Sequence, residues 1–125
     1  MVIDDEEMLR RALQRLLKGH DVVTAEGGTR AIEIVREDQA FDVVVCDIMM
    51  PDLDGPAVYE AIAAEFPALA ERFVFLTGGA FTARTKEFLG RVSVLVLEKP
   101  IEREVLCGVV ERLFAKRQAG VTGGE

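Results

Sequence analysis

The chain has 125 residues, of which half are apolar and 30% are charged, so it suits one globular domain and is not expected to be disordered. Its 22 acidic and 15 basic side chains give a net charge of -7, which disfavours a nucleic-acid surface. No apolar run reaches the ~20 residues of a membrane span. The N-terminus shows no signal-peptide pattern, so we expect a cytoplasmic domain without a membrane segment.

The first third of the chain alternates short apolar runs with helical patterns. MVI is the first predicted strand, and the spacing of apolar residues over 8–17 predicts an amphipathic helix that ends at Gly19. Val22 and Val23 form a second short strand. A second helix is predicted over 29–37, with Thr29 as its N-cap.

The same alternation continues to the C-terminus. It predicts, in order, a strand at 43–46, a helix from Pro56 to Phe66, a strand at 73–76, a helix from a cap at Thr82 to a stop at Gly90, a strand at 94–97, and a long helix over 103–117. We expect residues 1–117 to form the domain and residues 118–125 to be a flexible tail or the start of a linker. Cys46 and Cys107 lack metal or redox spacing and are predicted to be reduced core residues.

The three later strands are continuously apolar rather than alternating, which is typical of parallel strands covered on both faces. Five strands alternating with five helices therefore predict a doubly wound α/β sheet. In such sheets, ligands bind outside the carboxyl ends of the strands.

Charged and polar side chains stand at the predicted strand ends. They are Asp4, Asp5, Asp47, Thr77 and Lys99. Three neighbouring carboxylates stay ionised together only if positive charge joins them. Oxygen ligands without nearby sulfur or imidazole favour Mg2+, or Mn2+ in its place, with a coordination position left for a phosphoryl group. Asp47 is the predicted nucleophile, because carboxylates can form aspartyl-phosphates and it lies between the acidic pair and the Thr/Lys donors.

These elements resemble the receiver domain of two-component response regulators over about residues 1–117. The match consists of Asp4-Asp5, the segment DIMMPDLDG, the Thr77 of FLTGG, and the EKP that ends at Pro100. The resemblance implies the flavodoxin-like receiver fold, with five helices and strand order 2-1-3-4-5. It also implies that Asp47 receives a phosphoryl group from a histidine kinase or a histidine phosphotransfer domain.

The resemblance further implies the roles of the site residues. Asp5 and Asp47 would bind Mg2+ directly, Asp4 would help through water, and the backbone carbonyl of Met49 would complete the protein ligands. Thr77 and Lys99 would contact the phosphoryl oxygens, and the Lys99-Pro100 bond would be cis. Such a domain assists its own phosphorylation and dephosphorylation but is not an enzyme acting on a separate substrate.

The sequence departs from the family pattern at Val96, where many members have an aromatic residue that swings inward. Any signal here is therefore expected to travel by loop or backbone shifts. The stretch TGGAFTARTKEFL resembles receivers attached to sensor histidine kinases more than those followed by a DNA-binding domain. We therefore expect a hybrid-kinase parent.

Three other functions compete with that of a phosphate-accepting receiver. A receiver-like module could signal through protein contacts without phosphate, and a hydrolase could form an aspartyl-phosphate, although no stretch resembles a substrate cap. Calcium binding at Asp52-x-Asp54 fails the EF-hand spacing, so these aspartates are expected to shape the turn before the third helix.

The last helix carries an apolar stripe that is expected to pack in the core. Its members are Val105, Leu106, Val109, Val110 and Leu113. By the family resemblance, the outer face of this helix would meet partners or form a homodimer.

Overall fold

A computed structural model describes residues 1–79 and 81–123, with side chains up to residue 118. Within these residues, the strands are β1 (Val2–Ile3), β2 (Thr24–Ala25), β3 (Val44–Asp47), β4 (Phe73–Thr77) and β5 (Leu95–Glu98). The helices are α1 (Glu7–Leu16), α2 (Gly28–Glu37), α3 (Gly55–Glu65), α4 (Pro67–Ala70), α5 (Ala83–Arg91) and α6 (Arg103–Gly123). All strand pairs are parallel, and the strand order is β2-β1-β3-β4-β5. The predicted fold class and strand order are confirmed.

The core has two apolar layers, one on each face of the sheet. Phe73 and Phe75 of β4 face α2, α3 and α5, where they pack edge-on against Tyr59 and Phe88. Val74 and Leu76 alternate to the other face, which α1 and α6 cover. This double coverage explains why β3 and β4 read as continuous apolar runs.

The second strand and second helix begin at positions other than those predicted. β2 is Thr24–Ala25 rather than Val22–Val23, because the register pairs Val2 with Thr24. The Val23 carbonyl still accepts a hydrogen bond from the Val2 N–H at 2.8 Å. Helix α2 begins at Gly28, and Thr29 is not its N-cap.

Several helix predictions also needed correction. The six helices exceed the predicted five, because α4 forms at Pro67 in a stretch without enough apolar periodicity to be recognised. Gly90 lies inside α5 and does not stop it, whereas Thr82 caps that helix as predicted by accepting from the Thr85 N–H at 3.1 Å. Gly19 has a φ of 102°, the left-handed conformation that often follows a helix end.

Helix α6 extends to Gly123, beyond the predicted end at residue 117. Four of the five stripe residues are buried, but Val105 is 46% exposed, as is the nearby Phe114 at 47%. Residue 80, before the predicted cap at Thr82, and residues 124 and 125, in the predicted tail, lie outside the described residues. The tail and the dimer through this helix stay predictions.

Candidate functional site

Three carboxylates meet where β1 and β3 end. Asp4 follows β1 and is fully buried, and Asp47 is the last residue of β3 and only 5% exposed, whereas Asp5 is exposed. One oxygen from each of these side chains lies within 4.8 Å of the others. The parallel register between β1 and β3 brings these strand ends together.

Lys99 provides the positive charge of this cluster. Its Nζ lies 3.1 Å from Asp47 Oδ1 and 3.7 Å from Asp4 Oδ2. The Lys99 N–H donates to the Thr77 carbonyl at 2.7 Å, which fixes the start of the loop after β5. The Lys99-Pro100 bond is cis, as expected.

The Asp4 side chain has one satisfied and one unsatisfied oxygen. Oδ1 accepts a hydrogen bond from the Glu6 N–H at 2.9 Å, while the Asp4 carbonyl accepts from Arg10 Nη1 at 2.9 Å. Oδ2 is buried and accepts no hydrogen bond from the described residues, since Lys99 Nζ is beyond hydrogen-bond distance. A buried anionic oxygen of this kind is costly unless a cation joins it.

The pKa values of both members of the Asp47–Lys99 pair are shifted upwards, for different reasons. Burial raises the pKa of Asp47, Lys99 opposes this through its hydrogen bond and charge, and Asp4 and Asp5 raise the pKa further. Burial lowers the pKa of Lys99, but Asp47 and Asp4 outweigh it and the net shift is upward. Lys99 alone therefore only partly compensates the acidic cluster.

Thr77 ends β4, next to β3 in the sheet, and is buried. Its hydroxyl oxygen accepts a hydrogen bond from the Gly79 N–H at 3.0 Å, so the side chain supports its own loop. Gly79 has a φ of 104°, a conformation that favours glycine. The Met49 side chain, two residues after Asp47, is 52% exposed.

The residues present fit a hard divalent cation. The donor set consists only of carboxylate oxygens, one of them buried and unsatisfied, which matches the ligand preference of Mg2+. Among the described residues, the cluster predicted from the strand ends could hold such an ion.

The structural roles of two residues at this edge were missed from the sequence. Arg10 holds the carbonyl of Asp4, and no local pattern marks it. Asp52 was predicted to shape the turn before the third helix, and its hydrogen bonds to the N-terminus of α2 were not predicted; the sequence signal for them is that Gly27-Gly28 lacks a capping side chain. Asp54 does cap α3, accepting from the Ala57 N–H at 2.8 Å, in agreement with its predicted role in that turn.

A five-stranded sheet in this order, with an acidic cluster and an inward lysine at its carboxyl edge, defines a signalling domain of the receiver type. The family model described as "Response regulator receiver domain" matches residues 1–111. The chain therefore belongs to the response regulator receiver domain family of two-component systems.

Among curated proteins, the chain is similar to the transcriptional regulatory protein ZraR of Escherichia coli K12, with 33% identity over 92% of this chain and 26% of that protein. It is also similar to the sensor kinase CckA of Brucella abortus, with 30% identity over 94% of this chain and 12% of that protein. The chain thus spans about a quarter or less of these two relatives.

Among solved structures, the chain is similar to a response regulator receiver domain protein from Clostridium thermocellum. The TM-score is 0.83 at 27% identity, and the match covers 94% of each chain. In the described part of the chain, no helix is both long and apolar enough to cross a bilayer. The cytoplasmic location stays a prediction.

Proposed function

We propose that Asp47 accepts a phosphoryl group from a phosphohistidine of a histidine kinase or a histidine phosphotransfer domain, in a Mg2+-dependent reaction. The observation that carries this proposal is the buried Asp47 carboxylate, 3.1 Å from Lys99 Nζ and grouped with Asp4 and Asp5. A purely structural carboxylate would have no need of two acidic neighbours.

In the transfer, an Asp47 carboxylate oxygen attacks the phosphorus, and the bond between phosphorus and the donor imidazole nitrogen breaks. The electron pair of that bond returns to the imidazole. The transition state is loose and carries charge on its equatorial oxygens, so the protein contributes mainly by positioning and electrostatics.

The Lys99 ammonium is the group that would stabilise those oxygens, because it already lies against Asp47. The Thr77 hydroxyl, whose oxygen accepts a hydrogen bond from the Gly79 N–H, would donate its own O–H to a phosphoryl oxygen. Asp5 and Asp47 would hold Mg2+ directly, with Asp4 acting through water and the Met49 carbonyl as a further ligand. The bound ion would supply positive charge to the carboxylates and the phosphoryl group.

The phosphorylated state would then alter contacts with partner proteins, and the domain would assist its own phosphorylation and dephosphorylation without a separate substrate. The parent protein would be a hybrid sensor kinase. Similarity to the sensor kinase CckA supports this parent.

Incubation with acetyl phosphate and Mg2+, followed by intact-mass measurement, tests the proposal. We expect one phosphate per wild-type chain, and none after Asp47→Ala or with excess chelator. No added phosphate on a folded wild type that binds Mg2+ would instead favour a module that signals through contacts alone.

A further inference from the structure

The N-terminus of α2 is capped by a residue from a distant loop. Its N-cap position, Gly27, has no side chain to cap the helix. Instead, Asp52 Oδ1 accepts from the Gly28 N–H at 3.3 Å, and Asp52 Oδ2 accepts from the Thr29 N–H at 3.0 Å. The first N–H groups of a helix need such acceptors, and a carboxylate suits the positive end of the helix dipole.

Gly27 and Gly28 allow the loop to approach the start of α2 because they have no Cβ atom. A Cβ at Gly27 would lie 2.8 Å from Asp52 Oδ2. A Cβ at Gly28 would lie 2.5 Å from Val58 Cγ2 and 2.8 Å from Leu53 Cβ. The start of α2 is therefore packed directly against the loop between β3 and α3, and any larger residue would force them apart.

That loop begins immediately after Asp47. Its two ends are fastened, since the Gly55 N–H donates to the Ile48 carbonyl at 2.7 Å and Asp54 caps α3. Between them, Met49, Pro51 and Asp52 are exposed to solvent. The hydrogen bonds of Asp52 join this exposed part of the loop to a neighbouring helix.

We propose that Asp52 is a positioning residue of the phosphoacceptor site: by capping α2 it holds the loop that follows Asp47, and with it the Met49 carbonyl, in the geometry that binds the cation. This inference rests on the proposed function. Asp52 does not contact the reacting atoms. Burial raises the pKa of Asp52, but hydrogen bonds from the N–H groups of Thr29, Leu53 and Gly28 lower it by more. The net shift is downward, which favours the ionised, accepting form.

Calorimetric titration with MgCl2 at 25 °C tests the inference on folded protein. Loss of a residue that holds a metal ligand weakens metal binding about 10–100-fold, and Asp52 acts on the proposed ligands only through the loop backbone, so Asp52→Ala should raise the Mg2+ dissociation constant by about tenfold, the lower limit of that range. Asp52→Asn keeps one carbonyl oxygen for the Thr29 N–H and should give an intermediate value. The rate of phosphorylation by acetyl phosphate at limiting Mg2+ should fall in the same order.

Two control variants separate positioning from the loss of a hydrogen bond at a helix end and from the loss of one negative charge. Asp38→Ala removes a similar side-chain hydrogen bond, to the Ala40 N–H at 2.9 Å, from the other end of α2. It should lower thermal stability and leave the Mg2+ dissociation constant unchanged. Glu26→Gln removes one exposed negative charge from the same groove as Asp52 and should change that constant by no more than about twofold.

The inference is overturned if Asp52→Ala binds Mg2+ as tightly as Asp38→Ala, or no more weakly than Glu26→Gln. If Asp52→Ala does not fold, the comparison of Asp52→Asn with Glu26→Gln decides, because both replace a carboxylate by an amide. A wild type that neither binds Mg2+ nor gains phosphate would contradict the proposed function itself.

Discussion

The central strands and the edge strand of the sheet contribute to the site in different ways. Every residue of β3 and β4 is buried, whereas β5 has three half-buried residues and an exposed last one. Asp47 and Thr77 end the central strands, but Lys99 follows the edge strand. The carboxylate that would accept phosphate is thus fixed by the core, while its cation comes from the more loosely packed edge.

This difference suggests where the domain can respond to phosphorylation. Movement of β3 or β4 would disturb two packed layers, whereas Val96 on β5 can shift with less loss of contact. We expect structural changes to concentrate at β5 and the loops beside it. The predictions below test this contrast between rigid centre and adjustable edge.

The largest effect is expected for Phe75→Ala in the centre. Phe75 is fully buried and packs against Phe73, Phe88 and Tyr59, so its removal should lower the free energy of unfolding by about 4 kcal/mol. Urea denaturation followed by circular dichroism measures this. Phe114→Ala, which truncates a half-exposed ring on α6, is the matched control and should cost less than about 1 kcal/mol. Equal losses for the two would contradict the assigned core.

Lys99→Ala should destabilise the metal-free protein by about 2 kcal/mol at pH 7, because two buried carboxylates lose their cation. Without Lys99, the folded-state pKa of Asp47 rises further above 3.8. The loss should therefore shrink as the pH falls through the folded-state pKa, and the part due to Asp47 should be absent well below pH 3.8, where Asp47 is protonated in both the folded and the unfolded state.

At alkaline pH the loss of stability caused by Lys99→Ala should become smaller again. The pKa of Lys99 is raised above 10.5 in the folded state, so its contribution is complete below 10.5 and is lost as the pH rises through the folded value. Exposed Lys86 provides the control variant, Lys86→Ala, which should show neither trend. A pH-independent loss for Lys99→Ala would show that packing, not charge, explains it.

Val96→Ala should cost about 1 kcal/mol, since the side chain is only half-buried on the edge strand. Amide hydrogen exchange should accelerate in β5 and leave β3 protected. Uniform acceleration across the sheet would remove the distinction between centre and edge.

The smallest expected change is a gain in stability, for Asp47→Asn. Since the folded protein raises the pKa of Asp47, ionised Asp47 opposes folding, and Asp47→Asn should stabilise the metal-free protein at pH 7 by up to about 1 kcal/mol. The gain should be absent below pH 3.8 and appear as the pH rises through the folded-state pKa. Thermal unfolding at several pH values would reveal a missing or inverted trend.

The fold could be predicted largely because the central strands are apolar on both faces, which is a strong local signal. The positions of Asp47, Thr77 and Lys99 at one edge of the sheet could be predicted for a related reason, since polar residues end these apolar runs. The carboxyl ends of parallel strands meet at one edge, so chain order alone placed them together.

What was missed depends on contacts between distant segments. Thr29 has a capping residue type, but Asp52 takes that role from 23 residues away in the chain. The predicted position of β2 was wrong because the strand is placed by its register with β1 rather than by its own apolar residues. Val105 was wrongly assigned to the core, because helical spacing shows which face of α6 is apolar but not how wide the buried part of that face is.

The central claim is that the acidic edge of the sheet is built for a cation. Thermal unfolding of wild type and Asp47→Asn, each with and without excess MgCl2, tests it most directly, because an ion that binds only the folded protein stabilises it. We predict that the Asn variant is the more stable protein without Mg2+ and that the ion removes or reverses this advantage by stabilising the wild type more. The same stability difference with and without Mg2+ would contradict the account.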